Sequence, residues 1–137
     1  MKIQIIKVIM KKLLKTALYA RCASKEENKP SPVESQLKEL REACKDSQIV
    51  KEYVDEAENG VDLNRSGLRR LLKDAKKGLF GTLYVFDPDR LSRNYAQLLQ
   101  ILKELEKNGV KVNFLRGGGP ELQFQLMLCN SMAEYEK

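Results

Sequence analysis

No histidine occurs in the chain. Its absence removes the commonest general base and the commonest metal ligand. Any chemistry must rest on Ser, Asp, Glu, Lys, Arg, Tyr or Cys. Cysteine is scarce: Cys22, Cys44 and Cys129 are far apart, odd in number, and form no C-x-x-C pair. That pattern argues against a zinc site or a disulfide framework. It fits a reducing cytoplasm, with each cysteine acting as a small buried hydrophobe. No glycine-rich phosphate loop follows the first apolar segment, and neither an internal repeat nor a low-complexity tract interrupts the pattern. "GGGP" (117–120) reads as a flexible break after the last expected strand.

What remains is a soluble-globular composition, 42% apolar and 32% charged over 137 residues, enough for one domain with a real core. The net charge of +6 is unevenly placed. Residues 1–15, "MKIQIIKVIMKKLLK", carry five lysines and no acid, leaving 20 basic against 19 acidic residues in the rest. Basicity is therefore a property of this arm, and bulk charge does not by itself make the domain a DNA binder. The arm is too short and too charged to span a bilayer, and no membrane partner is expected. No small-x-small cleavage pattern follows it. A helix with Ile6, Ile9, Met10, Leu13 and Leu14 on one face is one reading. A start at Met10, with an upstream extension before it, is another.

Strands and helices alternate along the remainder. "TALYARC" (16–22) reads as a buried strand. "SPVE" opens a helix with Ser31 as N-cap, Pro32 as first helical residue and Glu34 closing a capping box. Val33, Leu37, Leu40 and Cys44 continue its apolar stripe. "QIVKEYV" (48–54) is a second strand, and "DEAENGVDLN" (55–64) a polar loop. Leu68, Leu71, Leu72 and Ala75 mark a helix stopped at Gly78. "TLYVF" (82–86) is a third strand. Tyr95, Leu98, Leu99, Leu102 and Leu105 mark a helix beginning near Leu91 and ending at Asn108-Gly109. "VKVNFL" (110–115) is a fourth strand, and a final helix runs from about Glu121. The expected fold is α/β, a mostly parallel sheet of four or five strands with helices on both faces.

In such sheets, working residues gather at the carboxyl ends of strands. Two charged groups sit there: Arg21 after the first strand, and "DPDRLSR" (87–93) after the third. Arg90 and Arg93 are three apart and can point the same way. With Arg21 and Arg65 they would form a guanidinium cluster suited to phosphate oxygens, with Asp89 holding one arginine in place. The plainer alternative is surface arginines paired with Asp87 and Asp89.

"ALYARCASKEEN", "YVDEAENG", "NRSGLRRLLKDAKKG", "DRLSRN" and "AEYEK" together resemble, in order and spacing, the catalytic domain of serine recombinases, the resolvase and invertase family with its large phage-type integrases. The resemblance covers residues 16–137 and leaves 1–15 as a separate basic arm. It implies a resolvase-like fold and a DNA recombinase in which a serine hydroxyl attacks the scissile phosphate. A 5′-phosphoserine link forms, with no metal or nucleotide cofactor. It places phosphate-binding arginines at Arg21, Arg65, Arg90 and Arg93, a supporting acid at Asp89 and a glutamine at Gln36. It also implies self-association into a dimer or tetramer and a separate DNA-binding region, since "AEYEK" opens a long helix in that family. Without such a region only weak contact with DNA is expected.

The chain departs from the family at its centre. The usual Arg-Val-Ser-Thr reads Arg21-Cys22-Ala23-Ser24, putting Ala23 at the nucleophile position. Three readings stay open: a deliberate Ser-to-Ala variant, a decayed or regulatory homologue, or a one-residue shift that lets Ser24 serve. Cys22 is no substitute, because alternation from Arg21 turns it to the other face of the strand. Ala57, Asp87-Pro88 and "GGGPE" depart from the family pattern as well. An active recombinase domain and a non-catalytic oligomerisation module are thus the two functional expectations.

Overall fold

The computed structural model describes residues 1–22, 32–56 and 65–135. Ala23, Ser24, Ser31 and Ala57 lie outside the described residues. In chain order the elements are α1 (Lys2–Leu14), β1 (Lys15–Cys22), α2 (Pro32–Ala43), β2 (Gln48–Glu56), α3 (Ser66–Lys76), β3 (Thr82–Val85), α4 (Pro88–Leu91), α5 (Tyr95–Lys107), β4 (Lys111–Phe114) and α6 (Pro120–Tyr135). The four strands form one sheet in the order β2-β1-β3-β4, every pair parallel.

Alternation along β1 divides the core into two layers. Leu18, Ala20 and Cys22 pack against Val33, Leu37 and Leu40 of α2 and against Cys44. Ala17 and Tyr19 face the other way, into a larger cluster with Leu68 and Leu71 of α3, Leu98 and Leu105 of α5, and Leu122 and Leu126 of α6. Helix α2 therefore covers one face, and α3, α5 and α6 the other. Gly78 and Gly109, at φ +76° and +75°, terminate α3 and α5 in the left-handed region that glycine enters without a Cβ penalty.

The connections leaving β1 and β3 diverge. The chain leaves β1 for α2 on one face and returns in β2. It leaves β3 for α5 on the opposite face and returns in β4. β1 and β3 are neighbours, so their carboxyl ends flank a topological switch point, where open α/β sheets form a crevice.

Two sequence expectations change. Strand β2 continues to Glu56, so Asp55 belongs to the strand and not to the polar loop; it pairs in register with Arg21. The helix after β3 does not begin near Leu91. A single turn, α4, starts at Pro88 behind the N-cap Asp87, and α5 starts separately behind Asn94, whose side chain accepts from the Gln97 amide. Pro88 supplies the fixed φ and missing N–H that a first helical position tolerates.

Candidate active site

The last rung between β1 and β3 pairs Tyr19 with Val85. Arg21 therefore projects beyond the rung, level with the Asp87–Leu91 turn. There Arg21, Asp87, Asp89, Arg90 and Arg93 line one pocket of about 90 Å³. Water occupies about 30 Å³ in the liquid, so this is room for about three waters, the scale of one phosphate group. Three guanidiniums face two carboxylates. The lining keeps one net positive charge, which an anion would complete. Arg90 forms an ion pair with Asp87 at 3.5 Å, and its Nη1 donates to the Arg21 carbonyl at 3.1 Å. The paired arrangement and the pocket thus coexist.

Gln36 stands behind the pocket. From α2, buried, it clasps the backbone of Arg21: its Oε1 accepts from the Arg21 amide at 3.2 Å and its Nε2 donates to the Arg21 carbonyl at 2.9 Å. A strand edge that has run past its neighbour β3 would leave these groups exposed, and the glutamine amide replaces the missing ladder bonds.

Arg65 is also brought close without lining the pocket. Its guanidinium donates to the carbonyls of Leu91 and Arg90 and, at 2.9 Å, to the Tyr19 hydroxyl. It holds the carbonyl end of α4 against β1, which fixes the backbone carrying Arg90.

Behind Arg65 lies a buried network that the sequence patterns did not single out. Asp55 accepts from the amides of Gly67 at 2.7 Å and Leu68 at 2.9 Å, capping α3 from a neighbouring strand, and from the Tyr19 hydroxyl at 2.7 Å. Burial, and then donation to Asp55, push the Tyr19 phenol well above its ordinary pKa against the opposing influence of Arg65, so it remains a hydrogen donor. Gly67 must be glycine: a Cβ there would stand 2.6 Å from the Val54 carbonyl oxygen. The available signal was an acid two residues past Tyr53, at the carboxyl end of a strand, shortly before Ser66-Gly67.

Hydroxyls are missing from the described pocket lining. Ser92, the serine of "DRLSR", is buried and bonded to Gln97 Oε1 at 2.8 Å, where it locks the turn between α4 and α5. Beside the arginine pocket, sharing Asp87 and Asp89, a larger cleft of about 540 Å³ reaches Tyr95, Arg116 and Glu121. Among the described residues no helix is long and apolar enough to cross a membrane.

The pattern of the resolvase N-terminal domain matches residues 16–137. The chain belongs to this resolvase family. A Bacillus subtilis (strain 168) protein named as a DNA recombinase is 34% identical over 125 residues, covering 88% of this chain and 25% of that protein. The Tn501 resolvase of Pseudomonas aeruginosa is 31% identical over 98 residues, 66% of this chain and 51% of the resolvase. The chain thus spans between a quarter and about half of the length of these relatives. Among solved structures, a resolvase family site-specific recombinase from Streptococcus pneumoniae superposes with a TM-score of 0.71 at 25% identity, covering 89% of this chain and 87% of that one. The N-terminal catalytic domain of TP901-1 integrase has the same fold, with a TM-score of 0.71 at 24% identity over 89% of this chain and 96% of that domain. The resolvase catalytic-domain fold accounts for the parallel sheet and its helices.

Proposed function

We propose that this resolvase domain holds a scissile DNA phosphate between Arg21, Arg90 and Arg93 and belongs to a site-specific recombinase that cleaves and exchanges strands through a phosphoserine link. The observation that carries the reading is the net-positive, phosphate-sized pocket at the switch point between β1 and β3. Always-charged guanidiniums suit a phosphoryl group whose oxygens gain negative charge in the transition state, and they need no metal for that task. Asp89 and Asp87 orient the arginines. Gln36 and Arg65 act as positioning residues, one through the Arg21 backbone and the other through α4.

In this reading Ala23 occupies the place of the attacking hydroxyl, one residue beyond Cys22. The chain then binds a DNA phosphate weakly and forms no covalent adduct. Loss of a nucleophile removes several orders of magnitude of rate. Ala23→Ser, in a chain extended by a long helix and a DNA-binding region, should yield a covalent protein–DNA species on denaturing gels, with the 3′-hydroxyl strand released. Ser24→Ala in the unaltered chain should change nothing. An adduct formed by the unaltered chain and abolished by Ser24→Ala would overturn the assignment and make Ser24 the nucleophile.

A second reading, a non-catalytic oligomerisation module, draws on Ala23 together with α6. Leu122 and Leu126 are buried, whereas Phe124, Met127, Leu128 and Met132 are exposed, more apolar surface than the domain covers itself. Self-association through this face serves both readings. Failure of Ala23→Ser to form any adduct, with assembly intact, would favour the module.

A further inference from the structure

The family match begins at residue 16, and α1 lies before it. No residue of α1 is buried, and its large apolar side chains are 40% (Leu13) to 70% (Ile3) exposed within the helix. Ile3, Ile6, Met10 and Leu13 recur at spacings of three, four and three, a single stripe flanked by Ile9 and Leu14. Ile5 and Val8 carry the apolar surface on round the helix, so Gln4, Lys7 and Lys11 form one narrow polar stripe beside Leu14. The helix carries four lysines and no acid.

The last turn of α1 is nevertheless fastened to the body. Thr82 Oγ1 donates to the Leu13 carbonyl at 2.6 Å, and Lys12 Nζ donates to the Asn108 carbonyl at 3.0 Å. Gly81 lets the two backbones meet, since a Cβ there would stand 2.5 Å from the Lys12 carbonyl oxygen. These polar contacts fix the direction of the helix and leave its apolar side uncovered.

Three occupants compete for that side. A second α1 is too small: 13 residues make about 20 Å of helix, one seam of which covers far less than the ~800 Å² per partner of a stable interface. The lysines of two such helices would also repel. Duplex DNA would match the lysines but leave the isoleucine stripe in water. An anionic bilayer surface satisfies both faces, because apolar side chains enter the headgroup boundary while lysines extend to the phosphates.

We propose that α1 docks the domain onto an anionic lipid surface, lying in the interface and not crossing it. This departs from the expectation of no membrane partner, which rested on the length and charge needed to span. The helix joins the amino end of β1 at Lys15 and the arginine pocket lies at Arg21 near its carboxyl end, six residues or about 20 Å along the strand, so lipid and DNA phosphate would not compete for one surface. The inference stands independently of the proposed recombinase chemistry.

Flotation of the 137-residue chain with vesicles tests it. The chain should float with phosphatidylglycerol–phosphatidylcholine vesicles at about 0.1 M salt and detach as salt rises. It should bind pure phosphatidylcholine at least about fivefold more weakly. Lys7→Gln and Lys11→Gln should each weaken binding about fivefold. Ile6→Ser with Ile9→Ser, both at exposed positions, should abolish flotation while leaving the thermal melt unchanged. Absence of flotation with the anionic vesicles would overturn the proposal. A dimer in sedimentation that Ile6→Ser with Ile9→Ser dissolves would overturn it in favour of a second copy. Retention of a short DNA duplex that depends on Lys7 and Lys11, without flotation, would overturn it in favour of nucleic acid.

Discussion

Helices α1 and α5 are both 13 residues long and both carry an apolar stripe, yet α5 buries Leu98, Ile101 and Leu105 while α1 buries nothing. The difference lies in how each joins the sheet. Helix α5 is set between Ser92–Asn94 and Asn108–Val110, turns that fold it back across β3 and β4. Helix α1 runs into β1 through Lys15 alone, already in extended backbone at φ −80°, ψ 114°. With no turn residues between them, helix and strand cannot reverse onto one another. Charge follows the same division: α5 mixes Lys103 and Lys107 with Glu104 and Glu106, whereas α1 has lysines only. Apolar periodicity thus specifies a helix and a face. The connections decide what that face meets.

The largest expected effect separates the two helices directly. Leu105→Ala removes a fully buried side chain from the larger core cluster and should cost about 2–5 kcal/mol in urea denaturation. Ile9→Ala, half-exposed on α1, should stay within about 0.5 kcal/mol. Comparable losses at the two positions would mean that α1 is packed in solution and that the contrast between the helices is false.

Helix α3 sharpens the contrast because it is held in both ways. Its Leu68 and Leu71 enter the core, and its Asp74 accepts from the Tyr53 hydroxyl at 2.6 Å and Lys51 Nζ at 3.2 Å. The Tyr53 hydrogen bond, helped by Lys51 and opposed by burial, holds the Asp74 carboxyl below the usual carboxylate range. A depressed pKa contributes stability above the unfolded value, near 4, which is lost as pH falls through the folded value. Asp74→Asn keeps an acceptor for Tyr53 but loses the charge, so it should cost about 1–2 kcal/mol at pH 7. It should also flatten the decline in stability below about pH 4. An unchanged acid limb in the variant would show that other carboxylates govern it.

Much of this was legible from residue order. The stripes of α2, α3 and α5 and the apolar strands β1 and β3 fix a parallel sheet, and the sheet fixes where Arg21 and "DPDRLSR" end. Less legible was the break at Ser92–Asn94: Asp87-Pro88 carries the same start signal as Ser31-Pro32, but the leucines of α5 drew the helix boundary toward Leu91. The Tyr19–Asp55–Arg65 network was hidden for another reason. It depends on the closeness of Gly67 to Val54, and no local pattern in "YVDEAENG" encodes that approach. The outward display of α1 was hidden likewise, since its fastening joins residues as far apart as Lys12 and Asn108.

The smallest effect concerns that fastening. Thr82→Val keeps the shape of the side chain and removes the hydroxyl that donates to the Leu13 carbonyl. The bond is only partly buried and neither partner is charged, so the global stability should fall by less than about 1.5 kcal/mol. The local consequence should be clearer than the global one. Helix α1 buries no apolar residue, so its persistence depends on nucleation and on this anchored last turn. Amide exchange along α1 should therefore quicken in Thr82→Val while α5 keeps its protection. Gly81→Ala, whose Cβ would press on the Lys12 carbonyl, should produce the same pattern by displacement. If both variants leave α1 exchange unchanged, the last turn is not what holds the helix, and some other contact must account for its direction.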